Sequence, residues 1–138
     1  MKKLIFVLFT ASVLFFISCK KISTPPALND TLPTGTTIAT ASFVSSAHTS
    51  SGIVKVVKDA SNKINLVFEN FKTDNGPDLR VWISSNNNGN PYQEVGLLKS
   101  TSGNFNYELD ASFNYTTNNR VLIWCKQFSV LFGYAVLQ

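Results

Sequence analysis

From about residue 38 to residue 138 the chain alternates short runs of Val, Ile, Leu, Phe, Tyr and Trp with clusters of Gly, Asn, Asp, Pro and Ser. No segment there has the length and 3.6-residue period of an amphipathic helix, so its backbone must be satisfied by strand pairing. Eight strands are predicted: Ala41 to Ser45, Ile53 to Lys58, Ile64 to Asn70, Leu79 to Ser84, Val95 to Lys99, Phe105 to Leu109, Val121 to Lys126 and Phe132 to Leu137. The intervening clusters, among them Ser51-Gly52, Asp59 to Asn62, Asn75 to Asp78, Asn86 to Pro91 and Thr116 to Asn119, supply left-handed backbone or self-capping side chains. The expected fold class is therefore all-β, an antiparallel β-sandwich or barrel of about eight strands. With 44% hydrophobic and 12% aromatic residues, the chain can pack a core and is not disordered.

Two strands define their surroundings. In Ile64 to Asn70, Ile64, Leu66 and Phe68 share one face while Asn65 and Glu69 share the other, with Val67 the exception. This predicts one core face and one wet face. Arg120 to Lys126 is apolar on both sides of the pleat and should be central; Val121, Ile123 and Cys125 share one face, Leu122 and Trp124 the other. Cys125 is thus expected to be buried, with Lys126 pointing away. The aromatic core is expected to include Phe68, Phe71, Trp82, Trp124 and Phe132.

The N-terminal segment is of a different kind. Met1-Lys2-Lys3 precede a mostly apolar stretch from Leu4 to Ile17, closed by Ser18-Cys19. The stretch is shorter than the roughly 18 to 20 residues of a spanning helix and has the basic start and small-residue end of a secretory signal. Ser18-Cys19 also resembles a bacterial lipobox, in which cleavage before the cysteine leaves its sulfur carrying diacylglycerol. Residues 1–18 are expected to be a lipoprotein signal peptide and 19–37, broken by Pro25, Pro26, Pro33 and Gly35, a flexible tether. Residues 38–138 are then the folded domain. The expected partner is membrane lipid through acylated Cys19, and the expected location is the cell envelope, on a bacterial cell or outer membrane.

The formal charge of +4 overstates the domain's basicity, because without Lys2 and Lys3 there are 10 basic against 8 acidic residues. Nucleic-acid binding loses its electrostatic argument.

Few groups remain that could carry chemistry. Past residue 19 there is no Met, one His (His48) and one Cys (Cys125), too few for a Cys/His zinc site, and no C-x-x-C-H haem attachment. No metal ligands are assigned. A noncovalent haem would have to take His48, Cys125 or a Tyr as its axial ligand. A nucleophilic Cys–His pair would need His48 to meet Cys125, a contact that spacing does not establish. Asp74-Asn75-Gly76-Pro77-Asp78 lacks EF-hand spacing and has the composition of a tight turn. Trp82 and Trp124 read as core or cofactor-packing aromatics, and Arg80 as a solvated strand residue.

Four stretches together resemble the DM13 family: Phe43-x4-His48-x3-Gly52, Gly76-Pro77-Asp78-Leu79-Arg80-Val81-Trp82-Ile83-Ser84, Gly96 to Leu109, and Val121 to Ala135 with its Trp124-Cys125-Lys126-x-Phe128-Ser129-Val130-x-Phe132-Gly133 block. The likeness spans about residues 38 to 138. It implies an extracytoplasmic β-domain, found in other proteins beside DOMON and cytochrome b561 modules, for which a role in electron transfer has been proposed. The family's hallmark cysteine, matched by Cys125, would act as a naked thiol or hold a prosthetic group such as haem. This sequence carries one copy, so the role is expected to need a redox partner protein encoded elsewhere.

The residues themselves leave three readings of Cys125: a redox thiol, a haem ligand shared with His48, or a small hydrophobe packed in the core. An unpaired thiol in an oxidising compartment is a liability that Ser, Ala or Val would avoid. Together with what the DM13 resemblance implies, this makes the protein read as an electron-transfer or redox accessory module centred on Cys125, rather than a stand-alone enzyme. The alternative is a non-catalytic binding or structural β-sandwich lipoprotein of the cell envelope.

Overall fold

The computed structural model describes residues 26–138, and all regular secondary structure among them is β-strand. In chain order the strands are β1 (Leu28–Asn29), β2 (Gly35–Ser42), β3 (Val44–Ser45), β4 (Ser50–Asp59), β5 (Ile64–Thr73), β6 (Leu79–Ser84), β7 (Tyr92–Leu97), β8 (Ser102–Leu109), β9 (Arg120–Cys125) and β10 (Val130–Val136). They form two five-stranded sheets, ordered β1-β8-β5-β4-β2 and β3-β10-β9-β6-β7. The sheets share one core and do not close on each other, so the fold is a sandwich and not a barrel. All ladders are antiparallel except that of β1 on β8.

The core lies between the inner faces. Val54, Val56, Leu66, Phe68, Phe71 and Phe105 come from the first sheet, and Val81, Val121, Ile123, Cys125, Phe132 and Ala135 from the second. Phe68 is its hub, with ring centroids 4.9 Å from Phe105, 5.3 Å from Phe71 and 5.5 Å from Phe43. Strand β9 is central, between β10 and β6, as its two-sided apolarity requires.

Three expectations are corrected. The outer face of β5 is not wet at its middle: Asn65 and Val67 are buried. Val67 lies between its cross-strand neighbours Lys55 and Asn106, and Lys55 pairs with Glu69 at 2.7 Å, so long polar side chains lay their stems over the sheet. Trp82 is buried as expected and Trp124 only partly so, but both lie outside the core between the sheets: they alternate with the inward Val81, Ile123 and Cys125 and occupy the outer face of the second sheet. The first long ladder begins at Gly35, before Ile38, because Gly35 to Thr37 pair with Val57 to Asp59 although they carry no apolar signal.

Residues 1–25, including the expected signal peptide and Cys19, lie outside the described residues. Within the stretch expected as tether, Leu28 and Asn29 run parallel to Gly103 and Asn104. Gly133 marks another close approach. It pairs with Ser45, and a Cβ there would collide with the Ser50 side chain.

Candidate functional site

Strand directions gather one set of chain segments at a single end of the sandwich. There β9 ends at Cys125, β6 begins at Leu79, β10 at Val130 and β8 at Ser102, and β1 enters at Leu28. Cys125 pairs with Leu79 on one side and Val130 on the other, its side chain fully buried and its thiol free. The amide of Lys126 donates to the Asp78 carbonyl at 2.9 Å, fixing the strand end to the 74–78 turn. Gly76 closes the core over this corner: a Cβ there would come within 2.8 Å of Leu79 and 2.9 Å of Phe132.

His48 belongs to the same end but to its surface. Its ring stacks on Phe132 with centroids 3.8 Å apart, and its Nδ1 lies 3.3 Å from the Asp74 carboxylate, which also accepts the Thr49 amide at 3.2 Å. The imidazole is 40% exposed, whereas Cys125 is sealed in the core cluster that contains Phe132. Among the described residues no hydrogen bond joins His48 to Cys125. The sequence's two candidate groups thus share a neighbourhood, with His48 ordered by Asp74 and Phe132 rather than by the thiol.

A cleft of about 530 Å³ opens beside this corner, bounded by Ala27 and Leu28, by Gly76 to Leu79 and by Leu97 to Thr101. Leu79 is both a cleft wall and the cross-strand partner of Cys125. The residues do not fit a haem held by Cys125, alone or shared with His48. Neither lines the cleft, and a macrocycle at the sulfur would have to force the packed sheets apart.

The outer face of the second sheet carries a polar and aromatic cluster that the apolar pattern of the sequence does not announce. Tyr92, Trp82 and Trp124 stack in sequence, with centroids 3.7 Å and 4.9 Å apart and interplanar angles of 12° and 16°. The Trp82 indole Nε1 donates to Glu94 Oε2 at 3.2 Å, and Lys126 Nζ reaches the same oxygen at 3.3 Å. Arg80, expected to be merely solvated, donates from Nη1 to Glu94 at 2.9 Å and from Nε to Asp78 at 2.5 Å. Desolvation pushes the Glu94 carboxyl up, but hydrogen bonds from Trp82 and Lys126 and the charges of Lys126 and Arg80 outweigh it and hold the group below its ordinary value. The hydrogen bond to Asp78 raises the Arg80 guanidinium in turn. The available signal was alternation: Arg80 and Trp82, like Leu122 and Trp124, share the non-core face of neighbouring strands.

The sequence profile of the family described as Electron transfer DM13 matches residues 42–137. Comparison with curated proteins and with solved structures gives no match. The matched span takes in His48, the Gly76-Pro77-Asp78 turn and Cys125, and runs from the end of β2 through the whole of β10. The chain belongs to the DM13 family of electron-transfer domains.

Proposed function

We propose that this domain is an electron-transfer module of the cell envelope in which the Cys125 thiol is the redox-active group, tethered to a membrane by lipid on Cys19 and serving a redox partner protein. The observation that carries the reading is the position of Cys125: a free, buried thiol at the end of a central strand, whose cross-strand partner Leu79 lines a solvent cleft. Complete burial protects the sulfur from indiscriminate oxidation, and reaction with a partner requires the corner at Leu79 to open. The lone thiol is not asked to ligate a haem, since the closed core offers no room for one.

The test is oxidation of the folded full-length protein by hydrogen peroxide. One thiol and one peroxide give one sulfenic acid and one water, and a dithiol reductant returns the thiol. Wild-type protein is expected to cycle in this way and Cys125→Ser to show no reaction. A thiol inert to peroxide and alkylation while the domain stays folded would transfer the assignment to the second reading, a structural or binding lipoprotein, which the complete burial of Cys125 favours. The lipid tether has its own test. Cys19→Ala is expected to abolish labelling by a fatty-acid probe and membrane retention at high salt, because each buried methylene contributes about 0.8 kcal/mol and acyl anchoring is insensitive to screening.

A further inference from the structure

We propose that Tyr92, Trp82 and Trp124 form a one-electron relay along the outer face of the second sheet, with Glu94 as the base that takes the Trp82 indole proton. The proposal rests on the electron-transfer reading of the domain and adds to it a path that does not use the cleft.

Three features distinguish this stack from aromatic rings that only cover a sheet. The rings are in series, 3.7 Å and then 4.9 Å between centroids and nearly parallel, so each overlaps the next. The middle ring is the sheltered one: Tyr92 is 46% exposed, Trp82 is 5% exposed, and Trp124 is partly exposed, with its backbone one peptide bond from Cys125. The interior ring also has a place for its proton. Trp82 Nε1 points at Glu94 Oε2 from 3.2 Å, within the distance at which a positioned base removes a proton. Glu94 is held in place by Arg80 on its other oxygen and by Lys126. Gly89 of the 85–91 loop lies against both indoles, so that a Cβ added there would come within 3.0 Å of Trp82 and 3.4 Å of Trp124.

A high-potential one-electron oxidant, such as a metal–oxo centre or an organic radical on a partner, takes one electron through Tyr92 from Trp82. The indole proton passes to Glu94, leaving a neutral indolyl radical and a carboxylic acid. An electron from Trp124 can then refill Trp82, which regains its proton from Glu94, so that the electron vacancy passes to Trp124 as an indole radical cation. One electron from an external donor such as ascorbate, and a proton from solvent where one has been lost, restore the starting state.

Flash-quench photo-oxidation of the full-length protein with tris(bipyridine)ruthenium tests the relay. Wild-type protein is expected to give the neutral tryptophan radical in transient absorption. Trp82→Phe keeps a stacked ring but is expected to lose the fast tryptophan signal, and Glu94→Gln, which keeps an acceptor oxygen but no base, is expected to shift it to the protonated radical cation. Circular dichroism identical to wild type qualifies each variant as folded. Should Trp82→Phe destabilise the domain, Glu94→Gln and Tyr92→Phe carry the test, the latter by slowing radical formation. Radical formation at wild-type rate and yield in Trp82→Phe, or an unchanged radical spectrum in Glu94→Gln, would overturn the relay. Loss of the Cys125 thiol is read separately by alkylation: an inert thiol with an intact radical signal refutes the thiol reading alone, and an oxidised thiol without the radical refutes the relay alone.

Discussion

Replacing Cys125 by Ser probes the position of the sulfur more sharply than any truncation. The side chain is fully buried, and among the described residues it makes no hydrogen bond. Ser has nearly the same shape but brings a hydroxyl whose partners in water are lost on folding. An unsatisfied buried hydroxyl costs about 1 to 3 kcal/mol. Ala at the same position loses one buried heavy atom and leaves a small void, a cost of about 1 kcal/mol. The expected order of stability is therefore wild type, then Cys125→Ala, then Cys125→Ser. A domain of roughly 110 residues has a total stability of about 6 to 16 kcal/mol, so every variant should remain folded. With a urea m-value of about 2 kcal/mol per molar, a loss of ~2 kcal/mol moves the Ser midpoint down by about 1 M. Equilibrium urea unfolding followed by tryptophan fluorescence reads this directly, since Trp124 is the neighbouring residue. A Ser variant at least as stable as the Ala variant would contradict this order, because it would mean that a polar group awaits the side chain and that the thiol is not enclosed by apolar core alone.

Phe68→Ala, at the hub of four aromatic contacts, is expected to cost about 3 to 5 kcal/mol and to lower the thermal midpoint accordingly. Gly133→Ala would drive a methyl into the Ser50 side chain where β10 meets β3, and should cost about 1 to 3 kcal/mol in the same assay. Acid should weaken the outer-face cluster. The folded Glu94 carboxyl titrates below its ordinary value of 4.5, so the unfolded chain takes up the proton first; the stability the carboxylate contributes is complete above that value and is lost as pH falls through the folded pKa. Glu94→Gln should flatten the decline of the urea midpoint below pH 4.5, and an unchanged pH profile would contradict this.

Legibility in the sequence depends on how local the cause of each feature is. Leu79–Ser84 emerges with both boundaries correct because Pro77-Asp78 and a run of Ser and Asn bracket five apolar or amphipathic residues. The inward direction of Cys125 likewise follows from two-residue alternation within one strand. The strand expected over Val95 to Lys99 lies instead at Tyr92–Leu97, because Tyr92, Gln93 and Glu94 owe their strand geometry to pairing with Ser84, Ile83 and Trp82 and not to their own apolarity. The paired stretch before Ile38 escapes the apolar pattern for the same reason. At the site, His48 and Asp74 lie 26 residues apart and meet only because two loops converge over Phe132, which no spacing encodes. Hydrophobicity marks Trp82 and Trp124 for burial in the core, whereas the alternation that sends Cys125 inward sends them to the other face. Stacking, Glu94 and the loop at Gly89 provide their shelter there.

The short strand β1 gives the domain an uneven response to mechanical load. A pull on the chain at residue 26 reaches first the two residue pairs Leu28–Gly103 and Asn29–Asn104, reinforced by the Asn104 amide on Asn29 and the Asp30 amide on the Asn104 carbonyl. Only after these give way does force arrive at β2, which is held to β4 by seven residue pairs. Ala27 and Leu28 form one wall of the cleft next to Leu79, so peeling β1 would widen the approach to the Cys125 corner while both main sheets keep their registers. Tension along the chain would thereby reach the Cys125 corner through a contact only two residues long.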